Sequence, residues 1–503
     1  MVIKLRPDVI AAVIVVMTVL PSLACGAEGP IKKAIGPTRV EGNLEITPIK
    51  FATRPDSPVK KTIKAEEGRL TVPENRSNPT GRKVKIHFVR FAANGQTPGY
   101  PTVHLAGGPG GSGTYSSAGD RFPLFQRMRE VGDVIALDQR GVYLSEPYMV
   151  CPGSWDYPHD KPSDPDILAA AIAPFINQCV AEWGDKADLS AYNTRESAAD
   201  LDDLRQALGA EKLNLWGISY GTHLGLAYIR QFPDRVNRAV LAGIEGPDHT
   251  YKLPGNVDRV LMRVAEAVAA DPAAHAVLPD FIGSLKEFLA RVEKEPVEVE
   301  VQDPETKEEH TVVLGRLDFQ KGLFGVLGER KDIEELLLRA MPVLQGDYSG
   351  VAQAVYGSRR NNRELVMSLA MDCASGATAA RRETIRRQAE TALLGNAPNY
   401  SLTAKCAAWP ANDLGDTFRS PVRSDVPVLF ISGTLDGKTP PSNAIEVMEG
   451  FPNGRHLIIE GGSHDDDLFL SSPRIAETMI EFLKGGEPDL NPIVLPPIRF
   501  QVP

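Results

Sequence analysis

Cysteine is scarce in this chain of 503 residues, and none of the five present falls in a C-x-x-C pair, so the usual spacing of a structural zinc site is missing. Runs of Lys and Arg are also missing. With a net charge of -10, that argues against nucleic acid or an anionic membrane surface as the main partner. No segment repeats at a fixed period, which excludes a solenoid. Past the N-terminus no stretch reads as an integral membrane span. What remains is ordinary for a soluble globular protein, 42% hydrophobic and 24% charged. The length suits two or three domains, or one large α/β domain carrying an insertion.

The N-terminus is set apart from the fold. Lys4 and Arg6 precede an apolar run from Val9 to Leu20, too short to cross a bilayer comfortably and laid out like a signal peptide, with Ser22, Leu23 and Ala24 ahead of the expected cleavage. Residues 1–27 are therefore read as a signal peptide and the protein as exported, to the periplasm, the medium or the cell surface. Cys25 directly after Ala24 also resembles a lipoprotein box, though Pro21 and Ser22 fit it imperfectly. Lipidation and removal of Cys25 both stay open. Cys151, Cys179, Cys373 and Cys406 then form an even set, expected to pair as Cys151–Cys179 and Cys373–Cys406.

Residues 28–66 are rich in Pro, Lys and Thr without sustained periodicity, and read as a mobile or loosely docked leader. A first core part is expected over 67–247. Leu70, Val72 and the alternating Val84–Phe91 are its opening antiparallel strands. In Tyr100–Gly113, YPTVHLAGGPGGSG, a strand runs into a glycine loop. Gly108, Gly110 and Gly113 match G-x-G-x-x-G, but Pro109 removes a backbone donor and the preceding strands are unlike a β-α-β opening. An oxyanion loop, whose glycines let N–H groups approach a developing negative charge, is the competing reading. His104 on the strand is expected to be structural, and Asp138 and Arg140 to fix the turn DQRG by hydrogen bonds. A helix over 194–209 then leads to KLNLWGISYGTHLG at 212–225, an apolar strand entering a Gly-x-Ser-x-Gly turn at Ser219 with a helix behind it. That is the layout of a nucleophile elbow. After the strand NRAVLAG the rhythm breaks. Residues 248–424 show helical periodicity apart from a hairpin over 297–315, and read as a cap. The second core part, 425–485, carries Asp436 three residues past VPVLFISG and His464 in the loop after RHLIIE. The Pro-rich tail, 486–503, is expected to run extended over the surface.

Ser219, Asp436 and His464 thus follow three strands in the order Ser, acid, His that an α/β-hydrolase uses. Ser219 is a poor nucleophile until His464 takes its proton, and His464 keeps the useful tautomer only if Asp436 accepts its other N–H. Asp465, Asp466 and Asp467 are rival acids, but their adjacency to the histidine makes the geometry awkward. The expected oxyanion donors are the N–H groups of Gly108 and Tyr220.

GGPGGSG, DQRG, GISYGTHLG, LDGKTPP and the His464 loop together resemble the exported α/β-hydrolases of the proline iminopeptidase and tripeptidyl aminopeptidase family, over roughly residues 66–485. LTVPENRSNP and CAAWP also look familial. The chain departs from the family pattern in three places: Ala106 and Gly107 stand ahead of Gly108, Tyr143 replaces a usual glycine after DQRG, and Ser463 replaces the glycine before His464. The resemblance implies an α/β fold with a mostly parallel sheet, helices on both faces and a large, mainly helical cap. It also implies serine-dependent release of N-terminal residues or short peptides, without metal or organic cofactor. Recognition of a free amine asks for a carboxylate, and Glu245, just past a strand end, is the candidate. A carboxylesterase or lipase acting on small esters or amides, and a catalytically silent binding protein of the same fold, are the alternatives.

Overall fold

Strands such as Leu213–Ser219, apolar toward both sides of the pleat, are stable only when covered on two faces. The computed structural model, which describes residues 29–503 except Ala411, builds such a layer. The expected signal peptide and Cys25 lie outside the described residues. In chain order the strands are β1 (Ile31–Ala34), β2 (Arg39–Glu41), β3 (Leu44–Ala52), β4 (Thr62–Pro73), β5 (Lys83–Phe91), β6 (Thr102–Leu105), β7 (Val134–Asp138), β8 (Leu213–Ser219), β9 (Val236–Ile244), β10 (Val297–Gln302), β11 (Glu309–Leu314), β12 (Val428–Gly433), β13 (Gly454–Glu460) and β14 (Ile493–Val494). All but β10 and β11, which form a hairpin of their own, belong to one sheet ordered β1-β3-β4-β5-β7-β6-β8-β9-β12-β13-β14, with β2 on β3. Pairing is antiparallel from β1 to β7 by way of β5, and parallel from there to β14.

One face packs under α4 (Thr194–Ala207) and α5 (Tyr220–Gln231), where Leu201, Leu204 and Leu224 meet Leu215 and Leu241. The other face meets α2 (Phe122–Met128) and the helix Pro473–Leu483, where Phe125 and Met479 meet Trp216, Val240 and Leu429. Between β9 and β12 the chain is helical except for the β10–β11 hairpin, which is the expected cap.

Three expectations need correction. The segment 28–66 is not a loose leader: β1, β2, β3 and the start of β4 lie in it and extend the main sheet. The C-terminal tail, 486–503, does not merely cross the surface. Strand β14 pairs with β13, and Ile498 and Phe500 are buried in a cap cluster with Leu327 and Leu336. The helix Pro165–Gly184, assigned to the first core part, packs instead on the cap helix Tyr400–Ala408. That helix is long and apolar enough to span a membrane by composition alone, but Cys179 within it is bonded to Cys151. A second disulfide joins Cys373 to Cys406, and all four cysteines meet around one cluster with Trp409 and Tyr400.

Candidate functional site

Ser219 ends β8 and precedes α5 at φ 53°, ψ -127°, a strained conformation for a residue with a side chain. The flanking glycines are required by crowding. A β-carbon on Gly221 would sit 1.9 Å from the Leu105 carbonyl oxygen, and one on Gly217 2.8 Å from that of Gly221. The glycine loop after β6 presses on the same point: a β-carbon on Gly107 would lie 3.0 Å from that of Ser219. Gly108 carries φ +121°, and the loop is held from the cap by Ser368 Oγ, which donates to the Pro109 carbonyl at 2.7 Å.

Asp436 is fully buried, and four donors converge on it. Oδ1 accepts the N–H groups of Lys438 and Thr439 at 2.8 and 2.7 Å, while Oδ2 accepts the Thr439 hydroxyl at 2.7 Å and faces His464 Nδ1 at 2.8 Å. Burial pushes this carboxyl up, but His464 and the Thr439 donors outweigh it and hold Asp436 below its ordinary 3.8. Burial likewise opposes a charge on His464, yet the Asp436 carboxylate prevails and raises the imidazole above its ordinary 6.5. The rival acids point elsewhere. Asp465 and Asp466 pair with Arg121, and Asp467 accepts from the Ser463 N–H and hydroxyl.

Strand β9 links the two halves. Its pairing with β8 skips one residue, so that Ile218 faces Ala242, Ser219 faces Ile244, and Gly243 is the extra residue of a bulge. Gly243 has φ +59°, and a β-carbon there would come within 3.1 Å of His464 Cε1 and 2.8 Å of Thr439 Oγ1. The imidazole therefore lies over the residue next to the strand partner of Ser219.

The cap grips both loops. Gly437 N–H donates to the Leu327 carbonyl at 3.0 Å, His464 N–H to that of Gly328 at 3.1 Å, and Arg330 N–H to Ser463 Oγ at 2.8 Å. Lys438 reaches the cap as well, its ammonium 3.0 Å from the Phe324 carbonyl and 3.8 Å from that ring's centre. Burial first, and then the nearby Lys252, push it down to about 8.

Glu245 is buried, not solvated. Its Oε2 lies 3.7 Å from Lys252 Nζ, and its N–H donates to Thr222 Oγ1 at 2.8 Å. Asp372, on the cap helix Val366–Ser375, is pushed up to about 8 by burial and by the charge of Glu245. Sequence reasoning did not single out Thr439, Gly243, Lys252, Lys438 or Asp372. Only Thr439 had a local signal, standing three residues after the acid in a turn where its hydroxyl can reach back.

His104 is structural as expected, whereas the Asp138 and Arg140 side chains do not tie their own turn but reach beyond it, Asp138 to Ser112 and Thr114 at the end of the glycine loop. His104 is wholly buried against Trp216 and Phe125, and burial pushes it down to about 3. The Arg140 guanidinium is spent on Asp200 and on the Glu74 and Ala191 carbonyls. Tyr143, where a glycine is usual, has φ 49°, the kind of backbone that glycine takes most easily. Among the described residues no cluster of His, Cys, Asp and Glu could hold a metal ion.

The family comparison agrees with this architecture. The profile of the alpha/beta hydrolase fold family matches residues 103–468. The serine protease Hip1 of Mycobacterium tuberculosis is 26% identical over 533 aligned positions, which cover 96% of this chain and 97% of that protein. The tripeptidyl aminopeptidase of Streptomyces lividans is 25% identical, over 86% of this chain and 83% of that protein. Among solved structures, an esterase from Exiguobacterium antarcticum aligns with a TM-score of 0.34 at 14% identity, covering 80% of this chain and 96% of its own.

Proposed function

The chain belongs to the alpha/beta hydrolase fold family, and from that premise we propose that it is a serine peptidase releasing N-terminal residues or short peptides through an acyl-enzyme. The observation that carries this reading is the 2.8 Å contact of His464 Nδ1 with a fully buried Asp436, at the same sheet edge as a serine held at φ 53°. Asp436 fixes the tautomer in which Nδ1 carries the proton, and Nε2 is left to take the proton of Ser219 as its oxygen attacks the substrate carbonyl. The same proton then goes to the leaving amine. Water repeats the sequence on the acyl-enzyme and frees Ser219. The N–H groups of Gly108 and Tyr220 receive the oxyanion; the glycine loop passes close over Ser219 at Gly107 and is held from the cap by Ser368. Glu245 is the carboxylate offered to a substrate ammonium, its charge shared with Lys252 at 3.7 Å, while Asp372, pushed up to about 8, stands beside it as a mostly neutral carboxyl at neutral pH.

The names of the protease and aminopeptidase relatives support a peptidase over an esterase with the same residues. Two disulfides, together with the signal-peptide layout, support export to an oxidising compartment. Fluorophosphonate labelling tests the chemistry. Wild type is labelled on Ser219, and Ser219→Ala loses both label and turnover; label retained elsewhere overturns the assignment. A panel of N-terminally free and blocked peptide amides beside short and long acyl esters tests the substrate. Faster turnover of blocked than of free peptides, or turnover of esters with none of peptide amides, would refute the aminopeptidase reading.

A further inference from the structure

Behind the glycine loop lies another buried histidine, His87, that the mechanism above does not use. Cross-strand register puts it there: His87 on β5 faces Arg69 on β4 and Asp138 on β7, so the three side chains share one face of the sheet, with Glu67 two residues along β4 on that face. His87 and Asp138 are both fully buried. His87 Nδ1 is hydrogen-bonded to Asp138 Oδ2 at 2.8 Å, and Nε2 lies at ion-pair distance, 3.3 Å, from Glu67 Oε1 without a hydrogen bond to it. A neutral imidazole has one N–H and one lone pair, so either tautomer would turn a lone pair toward a carboxylate. Only the doubly protonated ring suits both neighbours.

The other Asp138 oxygen holds the glycine loop. Oδ1 accepts the Ser112 hydroxyl at 2.5 Å and the Thr114 N–H at 3.1 Å, and Ser112 Oγ in turn accepts the Tyr115 N–H at 2.9 Å, capping α1 (Gly113–Ser116). Next to Asp138, Gln139 Nε2 donates to the Ala106 carbonyl at 3.4 Å, at the start of the same loop. Both ends of the loop thus hang from the Asp138–Gln139 pair, and the charge balance of that pair rests on His87.

We propose that His87, an imidazolium clamped between Glu67 and Asp138, is a positioning residue for the glycine loop and so makes the oxyanion donor at Gly108 depend on a second titration, remote from Ser219. The proposal rests on the serine-hydrolase reading. The charged and titratable groups around the ring are few: Glu67 and Arg69 on β4, with Arg69 tied to Glu67 at 3.0 Å and to Glu146 at 2.8 Å, Asp138 on β7, and Tyr143 in the turn that follows, whose hydroxyl is raised by burial and by Asp138. Thr114 Oγ1, 3.3 Å from Nδ1, is the neutral contact from α1. Burial disfavours the cation, but the two carboxylates outweigh it and lift His87 above its ordinary 6.5. The clamp is therefore intact below that raised value and released as the pH climbs through it. Released, the loop gives up part of its grip on the oxyanion, and kcat and kcat/KM fall together because the donor acts in the transition state.

The experiment uses the full chain labelled with 15N in histidine and glycine. His87 ring signals, assigned with His87→Gln, are expected to show both nitrogens protonated at neutral pH, and the amides of Gly107 to Gly113 to shift as that ring titrates. The rate of fluorophosphonate labelling is expected to fall along the same alkaline curve. His87→Gln lowers that rate about tenfold, a part of the roughly 100-fold that outright loss of an oxyanion donor costs, and abolishes the alkaline limb. Ser112→Ala, which leaves the histidine in place, lowers the rate while the ring still titrates. A neutral His87 ring at neutral pH overturns the proposal, as do glycine amides indifferent to its titration or a labelling rate without the alkaline fall. Wild type that takes no label at Ser219 refutes the serine reading instead, and the glycine amides then still decide whether His87 positions the loop.

Discussion

Gly243→Ala puts the geometry of the site under the most direct stress. Gly243 is the bulged residue of β9, at φ +59°, and an added β-carbon meets Thr439 Oγ1 at 2.8 Å and both His464 Cε1 and Leu468 Cδ1 at 3.1 Å. Two costs follow. A left-handed backbone costs an L residue about 1–2 kcal/mol, and forcing a methyl into a packed interior adds about 1–3 kcal/mol. Gly209→Ala separates them. Gly209 has φ +65° with nothing within 4 Å of an added β-carbon, so this variant bears only the backbone cost. The excess loss in Gly243→Ala, read from urea unfolding midpoints, is the contact with the His464 loop, expected at about 1–3 kcal/mol. Kinetically, the imidazole must yield by a few tenths of an ångström. Since a misplacement of about 1 Å can cost about 100-fold, acylation by a fluorophosphonate is expected to slow about tenfold, with Gly209→Ala unchanged. If Gly243→Ala matches Gly209→Ala in stability and acylates within about twofold of wild type, the bulge does not seat the histidine and the geometric argument fails.

Asp436→Asn, which keeps the shape but offers His464 a donor where it needs an acceptor, should lower kcat about 10,000-fold with little loss of fold, measured by steady-state turnover and circular dichroism. Activity should fall on the acid side as His464 takes up a proton. Because Asp436 raises that imidazole above 6.5, the midpoint in kcat/KM should lie above 6.5, and a midpoint below it would contradict the ion pair. Replacing Cys373 and Cys406 together by Ser opens a loop of 33 residues and should cost about 3–4 kcal/mol by the chain-entropy estimate, seen as a lower denaturation midpoint that reducing agent no longer shifts at this bond. Arg140→Met strands part of the charge of Asp200, which it contacts through two nitrogens at 2.8 and 2.7 Å. Arg76 also reaches Asp200, at 2.7 Å; thermal unfolding should reveal a loss of about 3–5 kcal/mol, and a loss below about 1 kcal/mol would mean that Arg76 alone satisfies that carboxylate.

The two-residue β14 offered no apolar run, whereas strands β6, β7, β8, β9 and β12 were legible because they are buried on both faces and announce themselves as apolar runs, each with a candidate residue at or just beyond its end. The antiparallel start was not, and β3 explains why. Leu44 and Ile46 enter the core on one face of the sheet, whereas Ile49 and Phe51 enter the core on the other. A single strand that serves both cores changes its buried side between Ile46 and Ile49, and the period-2 pattern that would reveal it breaks at Thr47 and Pro48. Glu245 could be named from its place after β9, but its partner Lys252 and the neighbouring charge of Asp372 come from the cap. Such cross-chain pairings leave no local pattern. The same holds for His87: in the sequence it is one more residue of an alternating strand, and only register brings it between Glu67 and Asp138.

Those long-range contacts also decide what the cap is for. Were it only a lid that selects substrate, it would touch the core at its rim. Instead the turn from Phe324 to Arg330 bonds to Gly437 and Lys438 on the acid's loop and to Ser463 and His464 on the base's loop, while Ser368 bonds to the glycine loop. The acid, the base and the oxyanion donor therefore each lean on a cap residue, and the tail adds a further tie, since Arg330 also binds the Pro496 and Pro497 carbonyls and Gln501 N–H binds that of Glu334. A substrate that displaces the cap by even a few tenths of an ångström moves all three catalytic groups at once. On the proposed mechanism, specificity is therefore expected in kcat as well as KM: a peptide that fits the cap badly should be bound in a site whose acid, base and oxyanion donor are out of register.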